Sequence, residues 1–241
     1  MKIRARWASG VVALAVAAGA SWRWHDEYAT RFLPPVPAEF VARFAAPPAP
    51  DSARTRRELD DLLALQSART PAEVAAAQAD RKTKIVRFYD ALGFDASDPP
   101  ELPHVEKLAQ RVEDDVRIYV RAVKDHFRRL RPYEIEPRLQ PCIENVRGDL
   151  SYPSGHSAYG WAMAYLLESM VPERGLDLEA RAEAFARQRM VCGVHFPSDL
   201  AAGKFAARWV LDALSGSPQF NEELAEARSE LRAALGLRLE Q

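Results

Sequence analysis

Three short segments in the second half of the chain combine cationic, imidazole and carboxylate side chains at fixed spacing. They are Lys124-x6-Arg131-Pro132, Pro153-Ser154-Gly155-His156 and Arg189-x5-His195-x3-Asp199. A site that attacks a tetrahedral oxyanion needs cations around the oxygens, a nucleophile on one side and a proton donor on the other. The segments supply each of these parts, so they predict a single anion-handling catalytic site.

The first segment offers two cations. In a continuous helix, the spacing between Lys124 and Arg131 turns the chain through about 700°, within about 20° of two full turns. Both side chains would then project from one face near the helix end and could contact one anion. Alone, this pattern would indicate a solvated basic face, because charged side chains are usually exposed. With the other two segments present, we interpret both residues as anion ligands.

The second segment opens a predicted helix. Ser154 is a good N-cap residue, and Gly155 lets a ligand approach the backbone closely. The free N–H groups of a first helical turn, together with the helix dipole, bind anions. His156 would stand at that anion and could protonate a departing oxygen. A plain serine-capped helix start explains Ser154 and Gly155 but not the presence of a histidine in both turns.

The third segment crosses a predicted helix end. Gly193 predicts that the helix containing Arg189 stops before His195, and Pro197 begins the next helix. Asp199 could then accept a hydrogen bond from His195, fix the imidazole tautomer and leave the other ring nitrogen free to attack. The alternative is a structural His–Asp hydrogen bond. A Zn²⁺ or Mg²⁺ site needs more ligands than this pair supplies.

In order and spacing, the three segments resemble the tripartite signature of the type 2 phosphatidic acid phosphatase and vanadium haloperoxidase superfamily. Residues 148–156 and 191–195 are similar to the bacterial class A non-specific acid phosphatases, and the resemblance extends over residues 33–235. It implies a secreted, metal-independent phosphatase that needs no cofactor. One departure is Gln188, because the family pattern usually has a serine immediately before the arginine of the third segment.

The residues and the resemblance together predict a phosphomonoesterase that works through a covalent phosphohistidine. His195 is the expected nucleophile, His156 the acid and then the base, and Asp199 the group that orients His195. The expected phosphate ligands are Lys124, Arg131, Arg189 and the backbone N–H groups near Ser154 and Gly155.

Three alternatives stay open at this stage. A vanadate-dependent haloperoxidase would use the same cationic cage, with His195 ligating vanadium, although the stretch around Cys192 favours the acid phosphatases. A lipid-phosphate phosphatase is the second alternative, and the lack of long apolar runs after residue 20 favours its soluble form. An inactive phosphate-binding scaffold is the third, and Gln188 is the reason to keep it.

The N-terminus and the cysteines predict export. Basic residues precede an apolar stretch, and Ala18-Gly19-Ala20 resembles a cleavage site, so residues 1–20 are interpreted as a signal peptide. A membrane anchor is the alternative, but the stretch is shorter than the ~20 residues that span a bilayer. The two cysteines, Cys142 and Cys192, are an even count typical of a disulfide in an exported protein. We expect a periplasmic or secreted protein.

Composition and periodicity predict the architecture. With 241 residues, 48% of them hydrophobic, and a net charge of −1, the chain fits one soluble globular domain and not a general nucleic-acid binder. Residues 21–50 form a Pro-rich extended lead-in, and residues 51–241 have helical periodicity without alternating strand patterns. The expectation is a single-domain all-α bundle with its site at helix ends. The expected partners are small phosphomonoesters, without stable membrane insertion, and a homo-oligomer is left open.

The periodicity also gives helix positions. Helices are expected over 52–67, from Thr70-Pro71-Ala72-Glu73 to Leu92, from Pro103 to Leu130, and at about 155–170, 177–192, 198–214 and 217–236. Residues 133–153 are expected to form a long functional loop.

Overall fold

A computed structural model describes residues 29–143 and 149–238. The described residues are helical and contain no β-strand, so the predicted all-α fold is confirmed. The α-helices are α1 (Ala38–Ala42), α2 (Ala53–Ala68), α3 (Pro71–Ala79), α4 (Tyr89–Leu92), α5 (Pro103–Phe127), α6 (Pro132–Ile135), α7 (Gly155–Met170), α8 (Gly175–Val191), α9 (Pro197–Leu214) and α10 (Pro218–Ala234). The predicted signal peptide lies outside the described residues.

The centre of the bundle is α7, which packs against α5, α8 and α9. Its buried residues point in nearly all directions, as a helix that is apolar all round requires. In contrast, α5 buries one stripe, which runs from Val105 to Val123 at spacings of three and four. The site segments lie at the start of α7, at the start of α9 and just beyond the end of α5.

Several helices begin where the sequence predicts. The side chains of Ser52 and Thr70 accept hydrogen bonds from the N–H groups of Thr55 and Glu73, and Glu73 completes a capping box. The starts of α5, α7 and α9 agree with prediction to within one residue. Cap residues and proline are local signals, which explains why these starts are readable from the sequence.

The predicted helix from Pro71 to Leu92 is wrong, because α3 ends at Ala79. Asp80 leaves the helical conformation, and its buried carboxylate accepts hydrogen bonds from Arg87 (2.9 Å) and Arg181 (2.7 Å). Arg181 belongs to α8, so this helix end is set by a partner that is distant in sequence. The turn that follows brings the Arg81 carbonyl to the start of α7.

The predicted end of the long helix near Leu130 is also wrong. The helix α5 ends at Phe127, because Arg128 adopts the left-handed conformation with φ = 51°. The chain therefore turns three residues before the position expected from Pro132. The reversal directs Arg129 into the protein and leaves Leu130 exposed, with an accessible fraction of 52%.

Part of the predicted lead-in is packed against the bundle. Residues Ala38–Ala42 form α1, and Phe40 is buried with its ring centroid 5.0 Å from that of Tyr119 and 4.6 Å from that of Trp209. The buried Asp115 carboxylate accepts the N–H groups of Phe32 and Leu33. Burial raises the pKa of Asp115, and these hydrogen bonds oppose that effect.

The predicted disulfide is present in the structure. Cys142 and Cys192 are bonded and lie 50 residues apart in the chain. The bond ties the segment after α6 to the end of α8, next to the turn that carries His195. No helix in the described ranges has both the length and the apolar character needed to cross a membrane.

We expect removal of this disulfide to destabilise the protein. Closing a 50-residue loop is worth roughly 3–4 kcal/mol in the chain-entropy account. The Cys142→Ala/Cys192→Ala variant should therefore unfold at lower urea concentration by a corresponding amount. Thiol titration of the denatured, unreduced wild type should find no free thiol. Two titrated thiols, or identical unfolding midpoints for the two proteins, would contradict the expectation.

Candidate active site

The predicted nucleophile, His195, and its predicted carboxylate partner, Asp199, lie four residues apart around the start of α9. His195 follows Gly193, whose φ of 66° ends α8, and Asp199 lies in the first turn of α9. Both residues are almost fully buried, with exposed fractions of 2% and 0%. The His195 Nδ1 atom is 3.3 Å from Asp199 Oδ2. The same carboxylate oxygen accepts the Phe196 N–H at 2.9 Å, which fixes its position at the helix start.

The contacts of His195 determine its tautomer. Arg131 Nη1 lies 2.7 Å from His195 Nε2, and a guanidinium can only donate hydrogen bonds. The Nε2 atom must therefore be the acceptor, so the ring proton is on Nδ1 and faces Asp199. Burial, followed by the charges of Arg131 and Lys124, holds the pKa of His195 well below its ordinary value. The result is a neutral imidazole whose Nε2 lone pair faces a cation.

Lys124 and Arg131 both pair with Asp149, but they do not project from one face of a single helix, as their spacing predicted. Arg131 lies beyond α5, at the start of α6, and reaches back toward the bundle. It donates to the Asp149 carboxylate and, at 2.8 Å, to the Val194 carbonyl. The Lys124 Nζ atom donates to the Leu150 carbonyl and is 3.9 Å from Asp149 Oδ1. A carboxylate thus lies between the two cations, as an anionic ligand would.

The electrostatics around Lys124 are those of an anion site. The side chain is largely buried, with an exposed fraction of 7% for the residue. Burial lowers the pKa of Lys124 to about 8, and the charge of Arg131 acts in the same direction. Asp149 and Asp199 act in the opposite direction. A further anion at this position would favour the charged ammonium.

Arg189 contributes unpaired donors. Its exposed fraction is 1%, and its Nη2 donates to the Ala77 carbonyl at 3.0 Å. Within the described part of the chain, its Nε and Nη1 atoms have no hydrogen-bond partner. Burial lowers the pKa of Arg189 to about 10. Buried N–H groups without acceptors are costly, so these two atoms are suited to an incoming oxyanion.

The neighbouring Gln188 stands where the resemblance leads one to expect serine. Its Oε1 atom is buried and, among the described residues, accepts no hydrogen bond. An amide oxygen cannot donate to an oxyanion, whereas a serine hydroxyl can. The Gln188 side chain could therefore donate to an oxyanion only through its Nε2 amide group.

The second segment, at the start of α7, is hydrogen-bonded to the third segment, at the start of α9. The N–H of Ser154 donates to the Asp199 carbonyl at 3.0 Å, and its Oγ accepts the N–H of Ser157 at 3.2 Å. A Cβ atom on Gly203 would lie 2.6 Å from the Ser154 carbonyl oxygen, so α7 and α9 can approach this closely only with glycine there. The N–H groups of Gly155 and His156 have no intrahelical acceptor, as at every helix start.

His156 lies beside the cations but does not contact His195 directly. Its Nε2 is 2.9 Å from the Arg81 carbonyl, which can only accept, so Nε2 carries a proton. The ring is stacked on Phe185 at 6.0 Å between centroids. Burial and then the charge of Arg189 lower the pKa of His156 to about 4, so the ring is neutral without ligand near pH 7.

Three residues at the site were not singled out from the sequence. Ser151 Oγ donates to Asp199 Oδ2 at 2.5 Å and lies 3.5 Å from His195 Nδ1. Arg129 pairs with Asp199 Oδ1 at 2.7 Å and with Glu58 Oε2 at 3.0 Å. Ser151 and Arg129 each lie close to a recognised segment in the sequence. Glu58 has no such signal, because it comes from α2, far away along the chain.

A cavity of about 250 Å³ opens beside the cations. Lys124, Asp149 and Gly155 form the end near the site, and Val116, Val120 and Tyr159 are among the residues of its wall. Glu113 and Thr83 also line it and are hydrogen-bonded at 2.6 Å. Burial raises the pKa of Glu113. The cavity could receive the organic part of a molecule whose anionic group lies at Lys124.

Over residues 29–143 and 149–238, no group of three or more His, Cys, Asp or Glu side chains is arranged to hold a metal ion.

The three segments fall within a region that matches a known family model. Residues 116–216 match the model described as the PAP2 superfamily. This PAP2 region contains the end of α5, the disulfide, and every side chain that the sequence analysis assigned to the site. Glu58 and the Arg81 carbonyl come from outside the region.

Curated relatives of the chain are acid phosphatases by name. It is 33% identical over 141 residues to an acid phosphatase of Zymomonas mobilis, covering 57% of this chain and 53% of that protein. It is 32% identical over 162 residues to a non-specific acid phosphatase of Salmonella typhi, covering 65% of each chain. A non-specific acid phosphatase of Providencia stuartii is 30% identical over 148 residues, covering 59% of each. The chain thus spans between half and two thirds of these relatives.

Two solved structures share the fold of the PAP2 region and its surroundings. One is a transmembrane PAP2-type phosphatidylglycerolphosphate phosphatase from Bacillus subtilis, with a TM-score of 0.50 over 77% of this chain and 92% of that one. The other is a bacterial vanadium-dependent iodoperoxidase, with a TM-score of 0.51 over 75% of this chain and 53% of that one. Both are 17% identical to this chain, so the likeness concerns the fold alone.

Proposed function

We propose that the protein is an acid phosphatase that hydrolyses phosphate monoesters through a phosphohistidine on His195. The observation that carries the proposal is the orientation of this imidazole. Its Nδ1–H faces the Asp199 carboxylate, and its Nε2 lone pair faces the cation of Arg131. A nucleophile directed toward the group that would hold a phosphate oxygen is the arrangement that phosphoryl transfer requires. The acid phosphatase relatives support the same activity.

The phosphate would bind between the cations. Arg131 and Lys124 already hold an anion, the Asp149 carboxylate, and a phosphate oxygen could replace it. The unpaired Nε and Nη1 atoms of Arg189 would bind further oxygens. The first-turn N–H groups of Gly155 and His156, behind the Ser154 cap, complete the cage. Such preorganised donors stabilise the charge on the phosphoryl oxygens in the transition state.

Phosphoryl transfer then takes two steps. The His195 Nε2 lone pair attacks phosphorus, the ester P–O bond breaks, and the leaving oxygen takes a proton from His156. Asp199 stabilises the positive charge that develops on the phosphorylated imidazole, because its carboxylate stays next to Nδ1–H. In the second step His156 takes a proton from water, which attacks phosphorus and releases His195 and phosphate. All atoms and protons balance without a further reactant.

The low pKa of His156 favours operation in acid. The protonated ring is the proton donor, and it is populated below a pKa of about 4 in the ligand-free site. A phosphate that pairs with Arg189 would raise this pKa, since that cation is one of the causes of the lowering. The step that needs the acid therefore slows as pH rises through the pKa of His156.

The proposed location is the periplasm or the outside of the cell. The Cys142–Cys192 disulfide supports it, because disulfides persist in oxidising compartments. The basic, apolar and small-residue pattern of residues 1–20 supports a cleaved signal peptide, followed by the lead-in and by the helical domain of residues 51–241. N-terminal sequencing of the exported protein should find Ser21 or a neighbouring residue at its start. An intact form that begins at Met1 and stays with the membrane would contradict this location.

Hydrolysis of p-nitrophenyl phosphate in excess EDTA tests the function. We expect undiminished turnover, because Lys124, Arg131 and Arg189 supply the positive charge at the phosphate. Vanadate should inhibit competitively, since it can adopt the five-coordinate geometry of the transferring phosphoryl group in the same cage. Loss of turnover on chelation, restored by a divalent metal ion, would contradict the proposed mechanism. Vanadate-dependent oxidation of bromide or iodide by hydrogen peroxide, without ester hydrolysis, would indicate a haloperoxidase.

A further inference from the structure

Behind the candidate nucleophile lies a buried chain of charged groups. Arg129 donates from Nη1 to Asp199 Oδ1 and to Ser198 Oγ, both at 2.7 Å, and from Nη2 to Glu58 Oε2 at 3.0 Å. Its Cζ lies 3.8 Å from the centroid of the Phe196 ring. All of these side chains are buried. We propose that Arg129 is a positioning residue for His195 that acts through Asp199, and that Glu58 holds Arg129 in place.

The two oxygens of Asp199 have different partners. Oδ1 accepts from Arg129, whereas Oδ2 accepts from Ser151 and Phe196 and faces His195 Nδ1. With Oδ1 held by a rigid guanidinium, the carboxylate cannot rotate away from the imidazole. A fully buried carboxylate also needs a cation to remain charged, and Arg129 is the cation in contact with it.

Glu58 adjusts the charge of this cluster. Arg129 alone would cancel the charge of Asp199, so that little attraction would remain for a cationic phosphoimidazole. Glu58 pairs with the other side of Arg129, so the three buried groups together carry a formal charge of −1. Arg54, which lies 3.6 Å from Glu58, is largely exposed, so its charge is screened by solvent. Glu58 also accepts the N–H of Ser198 at 3.2 Å and its hydroxyl at 2.9 Å, so α2 is tied to the start of α9.

The geometry separates Arg129 from the phosphate ligands. Its contacts with Ser198, Asp199 and Glu58 use Nη1 and Nη2, and its face lies on Phe196. In contrast, Arg189 keeps unpaired donors, and Arg131 contacts His195 Nε2 itself. Replacement of Arg129 should therefore lower kcat and leave KM nearly unchanged. Because this role concerns the phosphatase reaction, it rests on the function proposed above.

The test is a double-mutant cycle between Arg129→Lys and Asp199→Asn. Lysine keeps the positive charge but lacks the two terminal nitrogens, Nη1 and Nη2, with which the guanidinium contacts Asp199, Ser198 and Glu58 at the same time. We expect kcat for p-nitrophenyl phosphate to fall roughly 10- to 100-fold in the wild-type background, with KM within about twofold. In the Asp199→Asn background the same change should cost less than about threefold, because the partner through which Arg129 acts is already altered. Equal losses in both backgrounds, or a rise in KM, would overturn the proposal.

A matched control separates positioning from stability. Arg111 also forms an ion pair, with Glu223, and lies over an aromatic ring, that of Phe32, but it is at the other end of α5. Arg111→Lys should lower the urea midpoint and leave kcat unchanged. Glu58→Gln serves as the second variant, since it keeps the size of the side chain and removes its charge. Its kcat should fall by about three- to tenfold at unchanged KM, and an unchanged kcat would contradict the part assigned to Glu58.

A spectroscopic measurement makes the test independent of turnover. The ring ¹⁵N shifts of His195, assigned by comparison with His195→Gln, report which nitrogen carries the proton. The wild type should show a ring protonated at Nδ1, and Arg129→Lys should shift the Nδ1 resonance because the hydrogen bond to Asp199 weakens, while Arg131 still holds the proton on Nδ1. An unchanged spectrum would overturn the role of Arg129, even if the protein proved not to be a phosphatase. A shifted Nδ1 resonance without any ester hydrolysis would instead contradict the proposed function alone.

Discussion

His195→Ala should lose on the order of 10⁴-fold or more in kcat on every phosphomonoester, whatever its leaving group. The reason is that the proposed route passes through a covalent bond to His195 Nε2, and His195 is the imidazole beside Asp199 among the described residues. His156 cannot take over this part, because its Nε2 faces the Arg81 carbonyl and its ring is stacked on Phe185. The loss should appear in kcat more than in affinity for phosphate, since the three cations remain.

Rapid-quench experiments with ³²P-labelled substrate measure this directly. The quench should be alkaline, because phosphohistidine is labile in acid, and the wild type should then retain protein-bound label. His195→Ala should retain none, while inorganic phosphate or vanadate still binds with nearly wild-type affinity. His104→Ala is the matched control, since the His104 side chain is exposed, away from the site, and pairs with Glu226. Label on the His195→Ala protein, or turnover within about tenfold of wild type, would refute the nucleophile assignment.

The features that could be predicted from the sequence are those with local causes. A serine or threonine cap, or a proline in the first turn, acts within four residues, so the starts of α2, α3, α5, α7 and α9 agree with prediction. The turn at Gly193 is also local, because glycine adopts a positive φ at little cost. This turn separates Arg189 from His195, as the sequence analysis expected. The pairing of Cys142 with Cys192 followed from there being only two cysteines.

The features that could not be predicted depend on residues far apart in the chain. Arg128 is left-handed although it is not glycine, and no local pattern marks it. The consequence is large, because it places Arg131 outside the helix and turns Arg129 toward Asp199. No local pattern singles out Arg129 either, since its partner Glu58 is 71 residues away. The contact between Lys124, Arg131 and Asp149 likewise arises from the path of the chain after α5.

Because His156 is the proposed proton donor, its loss should slow the reaction unequally on different substrates, unlike loss of the nucleophile His195. A sugar alkoxide is a poor leaving group and needs a proton as the P–O bond breaks, whereas p-nitrophenolate hardly does. His156→Ala should therefore slow phosphorylation by roughly 10²- to 10³-fold on glucose 6-phosphate and by less than about tenfold on p-nitrophenyl phosphate. With the activated substrate, phosphoenzyme should accumulate, because the same residue is proposed to assist the attack of water.

The pH dependence gives a second, independent sign of this assignment. Because the pKa of His156 is lowered to about 4 in the ligand-free site, its protonated form is lost as pH rises through that value, or through the higher value set by bound phosphate. In the wild type, the rate of single-turnover phosphorylation by glucose 6-phosphate should therefore fall as pH rises, which gives a descending limb in the pH–rate profile. With p-nitrophenyl phosphate this limb should be weak. His156→Ala should lack this limb. Equal losses on the two substrates, an unchanged limb, and no trapped phosphoenzyme would together assign the proton to a group other than His156.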